Sequence, residues 1–424
     1  MASRLSLRAK GPQEEYITSQ DAFISELSIR QYTDFSIDQI AVPFGSSPYI
    51  GTTQRVEIKP KTFQGDLLSN MHLNIKLPQL TKGFSYTNNV ARSLIKSFTL
   101  YVNEQEIEKI TSDWLVIRDE LFLDDDEKMG MAQLINSGYP MNTDLFKQSY
   151  SLNPTQLDLV IPLEFFFCRR HSQYKRENER TTRPFFPLCS ILDQTVYIEI
   201  EFYQQSYFTN STDLVVIPEQ PILIVESITL TDQERFKYMT NNMNITINKV
   251  YKEPLNELKT SFGRFNITVN YPISITTWFF RRKTFEQTSI DFFDKHYNFG
   301  YTYTDNSLYK NKDPFKYISV FLNNQEVTPN INGKNFFKYL QPINYGLSTP
   351  TNEIYMYCFG TNPKEYNTGG SFDFSKVASK SSYISFYLDD TVATDIKSNY
   401  TFNMYHYGYN VLKFSDGSVS LAFL

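Results

Sequence analysis

Apolar and polar residues alternate with period two in short runs along most of the 424-residue chain, and turn residues separate the runs. Successive strand residues point to opposite faces, so each run predicts a strand with one buried face. In the first half the runs are Gln54–Lys59, Met71–Leu77 stopping at Pro78, Ser97–Val102, Leu157–Ile161 stopping at Pro162, and Gln194–Phe202. A polar stretch, Gln204–Asp213, and the pair Pro218 and Pro221 interrupt the pattern around residues 205–225. Proline cannot donate to a strand ladder, so the chain divides here. The pattern restarts at Ile222–Val225 and continues through Phe265–Val269, Ile275–Phe280, Tyr317–Leu322, Glu353–Phe359, Tyr383–Tyr387 and Tyr400–Tyr405, with Asn410–Phe414 as the final strand.

Helices are few. Ser112–Leu123 is the clearest, with Ser112 or Asp113 placed to cap it and the acidic run Asp124–Glu127 read as its solvated end. A short one at Thr231–Phe236 carries Thr231 as cap and Glu234 at the capping-box position. The halves also echo each other. Phe98–Ile107 and Ile318–Val327 both read as an alternating strand, then Asn-Glu-Gln-Glu or Asn-Asn-Gln-Glu, then a β-branched residue. The offset is about half the chain, which favours duplication over two unrelated hairpins. The expectation is an all-β protein with two tandem barrels: an N-terminal arm at 1–25, a first barrel at 26–212 and a second at 213–424.

Composition supports strands and removes several functions. Thirty Tyr and 35 Phe stand against 9 Met and 16 Gly, and aromatic residues suit a half-buried pleated surface. A net charge of −5 offers no concentrated basic face for a phosphate backbone. The densest basic cluster, Arg169, Arg170, His171, Lys175, Arg176 and Arg180, is diluted by Glu177 and Glu179 and reads as a solvated loop, so no direct nucleic-acid contact is expected. No apolar run is long enough to cross a membrane as a helix. Cys168, Cys189 and Cys358 read as reduced, buried thiols, which fits synthesis in the cytosol, and the sequons at Asn210, Asn244, Asn266 and Asn399 carry little weight there.

The reactive groups are scattered. His72, His171, His296 and His406 have no partner at metal-ligand spacing, and each reads as exposed or singly bonded. Asp124–Glu127 lacks the spaced oxygens of a calcium loop, Asp389 and Asp390 read as a turn, and Gly369–Gly370 is too short to cradle a phosphate. No catalytic, cofactor-binding or metal-ligating residue is assigned, no cofactor is expected, and the chain is not read as an enzyme. The long connections at 124–156, 169–186 and 285–314 are the expected assembly surfaces, with the arm at 1–25.

Several segments resemble the major capsid proteins of nucleocytoplasmic large DNA viruses. Gly11–Thr18 and Arg30–Ile37 are similar to that family's opening, and Gly65–Asn70 leads into a similar strand. Ile161-Pro-Leu-Glu-Phe-Phe-Phe-Cys-Arg169 resembles a Val-Pro-Leu-x-Phe-Trp-Phe-Cys-Arg strand, with Pro187–Leu192 following as in the family. Tyr355–Phe359, Asn362–Glu365 and Gly370–Ser375 match a Tyr-x-Tyr-x-Phe … Pro-Glu … Asn-Phe-Ser pattern, with Asp373 in place of its Asn. Tyr409–Lys413 and Gly417–Phe423 resemble the closing segments, while His171–Arg183 is a charged insertion.

The resemblance implies two eight-stranded antiparallel jelly-roll barrels in tandem, a double jelly roll. It also implies a structural capsid protein, three copies of which form a pseudo-hexameric trimer that tiles an icosahedral shell. Expected partners are the chain itself, minor capsid or penton proteins, and an internal membrane. The expected place is the virion capsid, after synthesis in the host cytoplasm. A transient scaffold or minor capsid protein of the same fold fits the same residues, and a carbohydrate-binding β-sandwich is the remoter alternative.

Overall fold

The computed structural model describes residues 33–44, 49–81, 84–135, 157–169, 184–213, 215, 219–287, 289, 295–305, 308–328, 333–364, 368–378 and 380–423. The expected arm at 1–25, His171 and most of the basic cluster lie outside them. Among the described residues, sixteen of the strands build two barrels. The first eight are β1 Phe35–Pro43, β2 Thr53–Ile58, β3 Leu67–Leu77, β4 Ile95–Val102, β5 Gln105–Thr111, β6 Leu157–Pro162, β7 Val196–Phe202 and β8 Ile222–Leu230. The second eight are β9 Met243–Lys252, β10 Phe262–Asn266, β11 Pro272–Arg282, β12 Phe315–Leu322, β13 Gln325–Glu326, β14 Tyr355–Cys358, β15 Tyr383–Leu388 and β16 Tyr400–Ser415.

The first eight form two sheets, β1-β8-β3-β6 and β2-β7-β4-β5. The second eight form β9-β16-β11-β14 and β10-β15-β12-β13, the same order with eight added to every label. All these pairings are antiparallel, and each pair of sheets is the jelly-roll arrangement. The echoed segments occupy equivalent hairpins, β4–β5 and β12–β13. Asn103 turns the first at φ 49°, and Asn323 and Asn324 turn the second at 50° and 62°. Asn tolerates left-handed backbone better than most residues, which is why both turns carry it.

The boundary at residue 213 requires correction. β8 restarts the pattern at Ile222, but it pairs with β1 over nine residues, Phe35↔Leu230 to Pro43↔Ile222, and so closes the first barrel. Pro221 stands just before a strand of that barrel rather than between domains; ladder breaks occur at every turn. The junction falls at the helix Asp232–Thr240, where the Thr231 side chain accepts from Glu234 N as its spacing predicts.

Three further expectations change. Tyr400–Tyr405 and Asn410–Phe414 are one strand, and a short strand Ser418–Leu421 pairs back on it. Ser112–Leu121 is helical, but its cap position is Thr111, which makes no side-chain cap bond, while Asp113 points elsewhere. Asp125–Glu127 opens a second helix, Asp125–Ile135, where carboxylates favour the positive N-terminal end. We label these helices α1 (Ser112–Leu121), α2 (Asp125–Ile135) and α3 (Asp232–Thr240).

Alternation places the cores. Leu73, Ile75, Phe98, Leu100, Ile198, Ile200, Leu223 and Val225 fill the first barrel. Phe265, Trp278, Phe280, Ile318, Ile384, Phe386 and Phe402 fill the second. Residues of opposite parity on β11, β14 and β16, namely Phe279, Met356, Tyr405 and Tyr407, leave the second core and join the first cluster. The outer face of β9-β16-β11-β14 is therefore buried against the first barrel.

Candidate functional site

The most elaborated chemistry among the described residues lies in this seam. α1 follows β5 directly and is buried nearly all round. Its Trp114 stacks on Tyr407 with ring centroids 5.7 Å apart, and Phe122 meets the same ring edge-on at 5.5 Å. Aromatic pairs in such geometries contribute about 0.5–1.5 kcal/mol beyond their buried area.

Beside Trp114, the Asp113 carboxylate receives Arg281 in bidentate fashion, 2.6 Å from Nη1 to Oδ1 and 3.1 Å from Nη2 to Oδ2. Tyr405 donates its hydroxyl to the same carboxylate at 3.1 Å, and Arg281 Nε donates to Glu286 at 3.0 Å. Burial alone would raise the Asp113 carboxyl, but Arg281 and Lys252 outweigh it and hold it below its ordinary value. Paired in this way the charges are tolerated; either alone would be costly.

A second pair lies further along. Arg169 and Glu108 meet fully buried, Arg169 Nη1 donates to the Asn248 carbonyl of β9 at 2.6 Å, and its guanidinium lies 5.6 Å from the centre of the Tyr407 ring. The solvated-loop reading of Arg169 is thus corrected: this residue turns inward because Glu108 and β9 offer it acceptors. At the helical end Glu120 accepts from Asn352 N at 2.9 Å and Thr351 Oγ1 at 3.1 Å, and Lys364 pairs with Asp124.

One histidine is also corrected, while His296 is singly bonded as expected, through Nδ1 to the Phe285 carbonyl. His406 is buried and bonded twice, through Nδ1 to Thr276 at 2.8 Å and Nε2 to Glu253 at 3.2 Å. His296 is buried and stacked on Tyr207 of the first barrel at 3.4 Å, and burial pulls its imidazole down to about 4. His72 lies half-buried on β3. Cys189 and Cys358 are buried free thiols, and burial pushes each up to about 12, which suppresses the reactive thiolate; Cys168 is half-buried. A polar recess of about 300 Å³ lined by Gly65, Asp66, Cys189 and Arg235 is spanned by the Asp66–Arg235 pair at 3.2 Å. Among the described residues no group of three His, Cys, Asp or Glu is placed to hold a metal ion.

Sequence reasoning missed Asp113, Glu108 and Arg281 as seam residues. A charge inside an otherwise apolar helix or strand is the available signal, as with Asp113 before Trp114 and Arg281 after Phe280. It does not reveal the partner.

Comparison with known proteins agrees with this architecture. A model described as "Major capsid protein N-terminus" matches residues 24–251, and one described as "Large eukaryotic DNA virus major capsid protein" matches residues 230–420. A "Major capsid protein" of Pyramimonas orientalis virus is 22% identical over 65% of this chain and 64% of its own length. "Probable capsid protein 4" of Acanthamoeba polyphaga mimivirus is 26% identical over 39% of this chain, and the match spans 33% of that protein. Among solved structures, VP54 of PBCV-1 superposes with a TM-score of 0.72 at 19% identity, covering 93% of this chain and 98% of the other. The Faustovirus major capsid protein gives 0.71 at 10% identity, covering 93% of each.

Repeated barrels of one strand order, joined through a buried seam, define a double jelly-roll protein. The chain belongs to the major capsid protein family of large eukaryotic DNA viruses. Its relatives in that family are described as capsid proteins. The sugar-binding alternative falls with this finding.

Proposed function

We propose that three copies close into a pseudo-hexagonal trimer and that these trimers tile an icosahedral shell. The observation that carries this is the repeat itself: two barrels of identical strand order stand side by side in one chain, so each copy supplies two of six near-equivalent wedges. A head-to-tail contact that closes after three steps makes a ring rather than a filament. Minor capsid or penton proteins and an internal membrane are the further partners of this reading, and synthesis in the host cytoplasm precedes assembly.

Light scattering on the purified chain, of 49.6 kDa, tests it. A stable particle of three masses supports the trimer, and a monomer at high concentration sinks it. Copy number in purified particles separates the lattice protein from a scaffold of the same fold.

A further inference from the structure

The repeat gives positions of barrel two a counterpart in barrel one, and on one face the paired residues differ in kind. On β10-β15-β12 the residues turned away from the core form rows across the strands. The row Phe262–Tyr387–Tyr317 has Thr53–Glu201–Ser97 as its counterpart on β2-β7-β4. The next row, Arg264–Ser385–Ser319, matches Arg55–Glu199–Thr99. Lys316, beside Tyr317 at a bulge, matches Lys96, beside Ser97 at the equivalent bulge.

Both cations are kept, and the carboxylates that face them are replaced. In barrel one Arg55 donates to Glu199 through Nη2 at 2.7 Å, and Lys96 donates to Glu201. In barrel two those acids give way to Ser385 and Tyr387. Arg264 lies over the Tyr383 ring, 5.0 Å from its centre, and makes no ion pair among the described residues. Lys316 lies 5.5 Å from the centre of the Tyr387 ring and reaches Asp390 at 3.7 Å, an exposed pair of the kind that contributes little in water. The rings are open as well: Phe262 is 63% exposed and Tyr317 48%, with Tyr387 half-buried between them. Barrel one folds with Thr, Glu and Ser in this row, so the fold itself does not call for rings there.

We propose that this face binds an acidic, proline-rich segment of a second protein, laid across the strands over Phe262, Tyr387 and Tyr317 with a carboxylate on Arg264. Neighbouring strands lie about 4.8 Å apart, so the outer two positions of the row stand roughly 10 Å apart. A polyproline II helix repeats every three residues, or about 9 Å, so prolines at i and i+3 meet those two rings. Such a segment is extended before it docks and loses little freedom on binding. Arg264, one row along, receives from the partner the carboxylate that Ser385 does not supply. The proposal rests on the capsid reading only for the source of the segment, a minor capsid protein.

The test titrates the full chain into a fluorescein-labelled peptide, Asp-Glu-Pro-Pro-Ala-Pro-Pro-Ala-Pro-Pro, and follows anisotropy. A second peptide carries Lys-Lys in place of Asp-Glu. Phe262→Thr and Tyr317→Ser, which install barrel one's own residues, should each weaken binding about tenfold or more, with circular dichroism confirming the fold. Ser385→Glu returns to Arg264 the acid that Arg55 has, and should abolish the preference for the acidic peptide over the basic one. Arg55→Ala, at the matching position of barrel one, should leave binding unchanged. No binding at about 1 mM peptide would overturn the proposal, as would full affinity in Phe262→Thr and Tyr317→Ser. So would a polyuronate or a single-stranded oligonucleotide that binds this face where the peptide does not. Each of these leaves the trimer reading standing, whereas a monomeric chain that binds the peptide removes the trimer and keeps the site.

Discussion

Asp113 of the first barrel and Arg281 of the second meet as a parallel pair of hydrogen bonds, 2.6 and 3.1 Å long, with both side chains almost fully buried. The pair locks α1 to β11, so the angle between the barrels is set by two fixed planes rather than by a greasy contact alone.

Asp113→Asn should therefore destabilise the chain by about 3–5 kcal/mol, because Arg281 then stays buried without its main partner. Pairing it with Arg281→Met should recover much of the loss, as denaturant unfolding would show. The carboxyl is depressed below 3.8 in the folded state, so its contribution is complete above that value and is lost as pH falls through the lower folded one. The gap between wild type and Asp113→Asn should stay level from neutral pH down to that region and then shrink. An equal gap at every pH would refute the ionic account.

Trp114→Ala removes the ring that Tyr405, Tyr407 and Phe122 share. A loss of about 3–5 kcal/mol is expected, measured by denaturant melting. Tyr317→Ala, at a position 48% exposed on the surface of barrel two, should change stability by about 0.5 kcal/mol or less. Similar losses for the two would mean the seam is no more than surface contact.

His296 links stability to acidity. Its folded value of about 4 lies below the ordinary 6.5, so the unfolded chain takes up the proton first as pH falls. Stability is full above 6.5 and is lost between 6.5 and 4, by about 3 kcal/mol in all. His296→Phe keeps a ring on Tyr207 and should flatten that slope. Denaturant midpoints at three pH values across the window suffice, and parallel slopes in the two proteins would exclude His296 as the source.

Gly408 sits in β16 opposite the bulge in β11, and a Cβ there would lie 2.3 Å from the Pro272 carbonyl. Gly408→Ala should cost about 1–3 kcal/mol through backbone displacement. Gly130, inside α2, has open space around it, and Gly130→Ala should instead gain about 0.5–1 kcal/mol. Calorimetry that moved both melting temperatures the same way would contradict this.

Much of the architecture was legible because burial on one face writes itself as alternation. β3, β7 and β15 alternate cleanly, and the Asn turns of the echoed hairpins gave away the repeat. β16 was cut in two because both its faces are covered over most of its length, so Tyr405-His-Tyr-Gly-Tyr409 carries no polar side to read. β8 was placed in the wrong barrel because pairing partners as far apart as Phe35 and Leu230 leave no local mark. The seam was invisible for the same reason: Asp113 and Arg281 are 168 positions apart, and each alone resembles a cap or a strand-end charge.

The doubly covered β16 also orders events in time. Phe402 and Met404 complete the second core while Tyr405 and Tyr407 complete the seam, yet the ribosome delivers this strand after the other fifteen. The first barrel can gather its own strands during translation. The second core and the seam must wait for β16, so a chain that lacks this strand has neither complete.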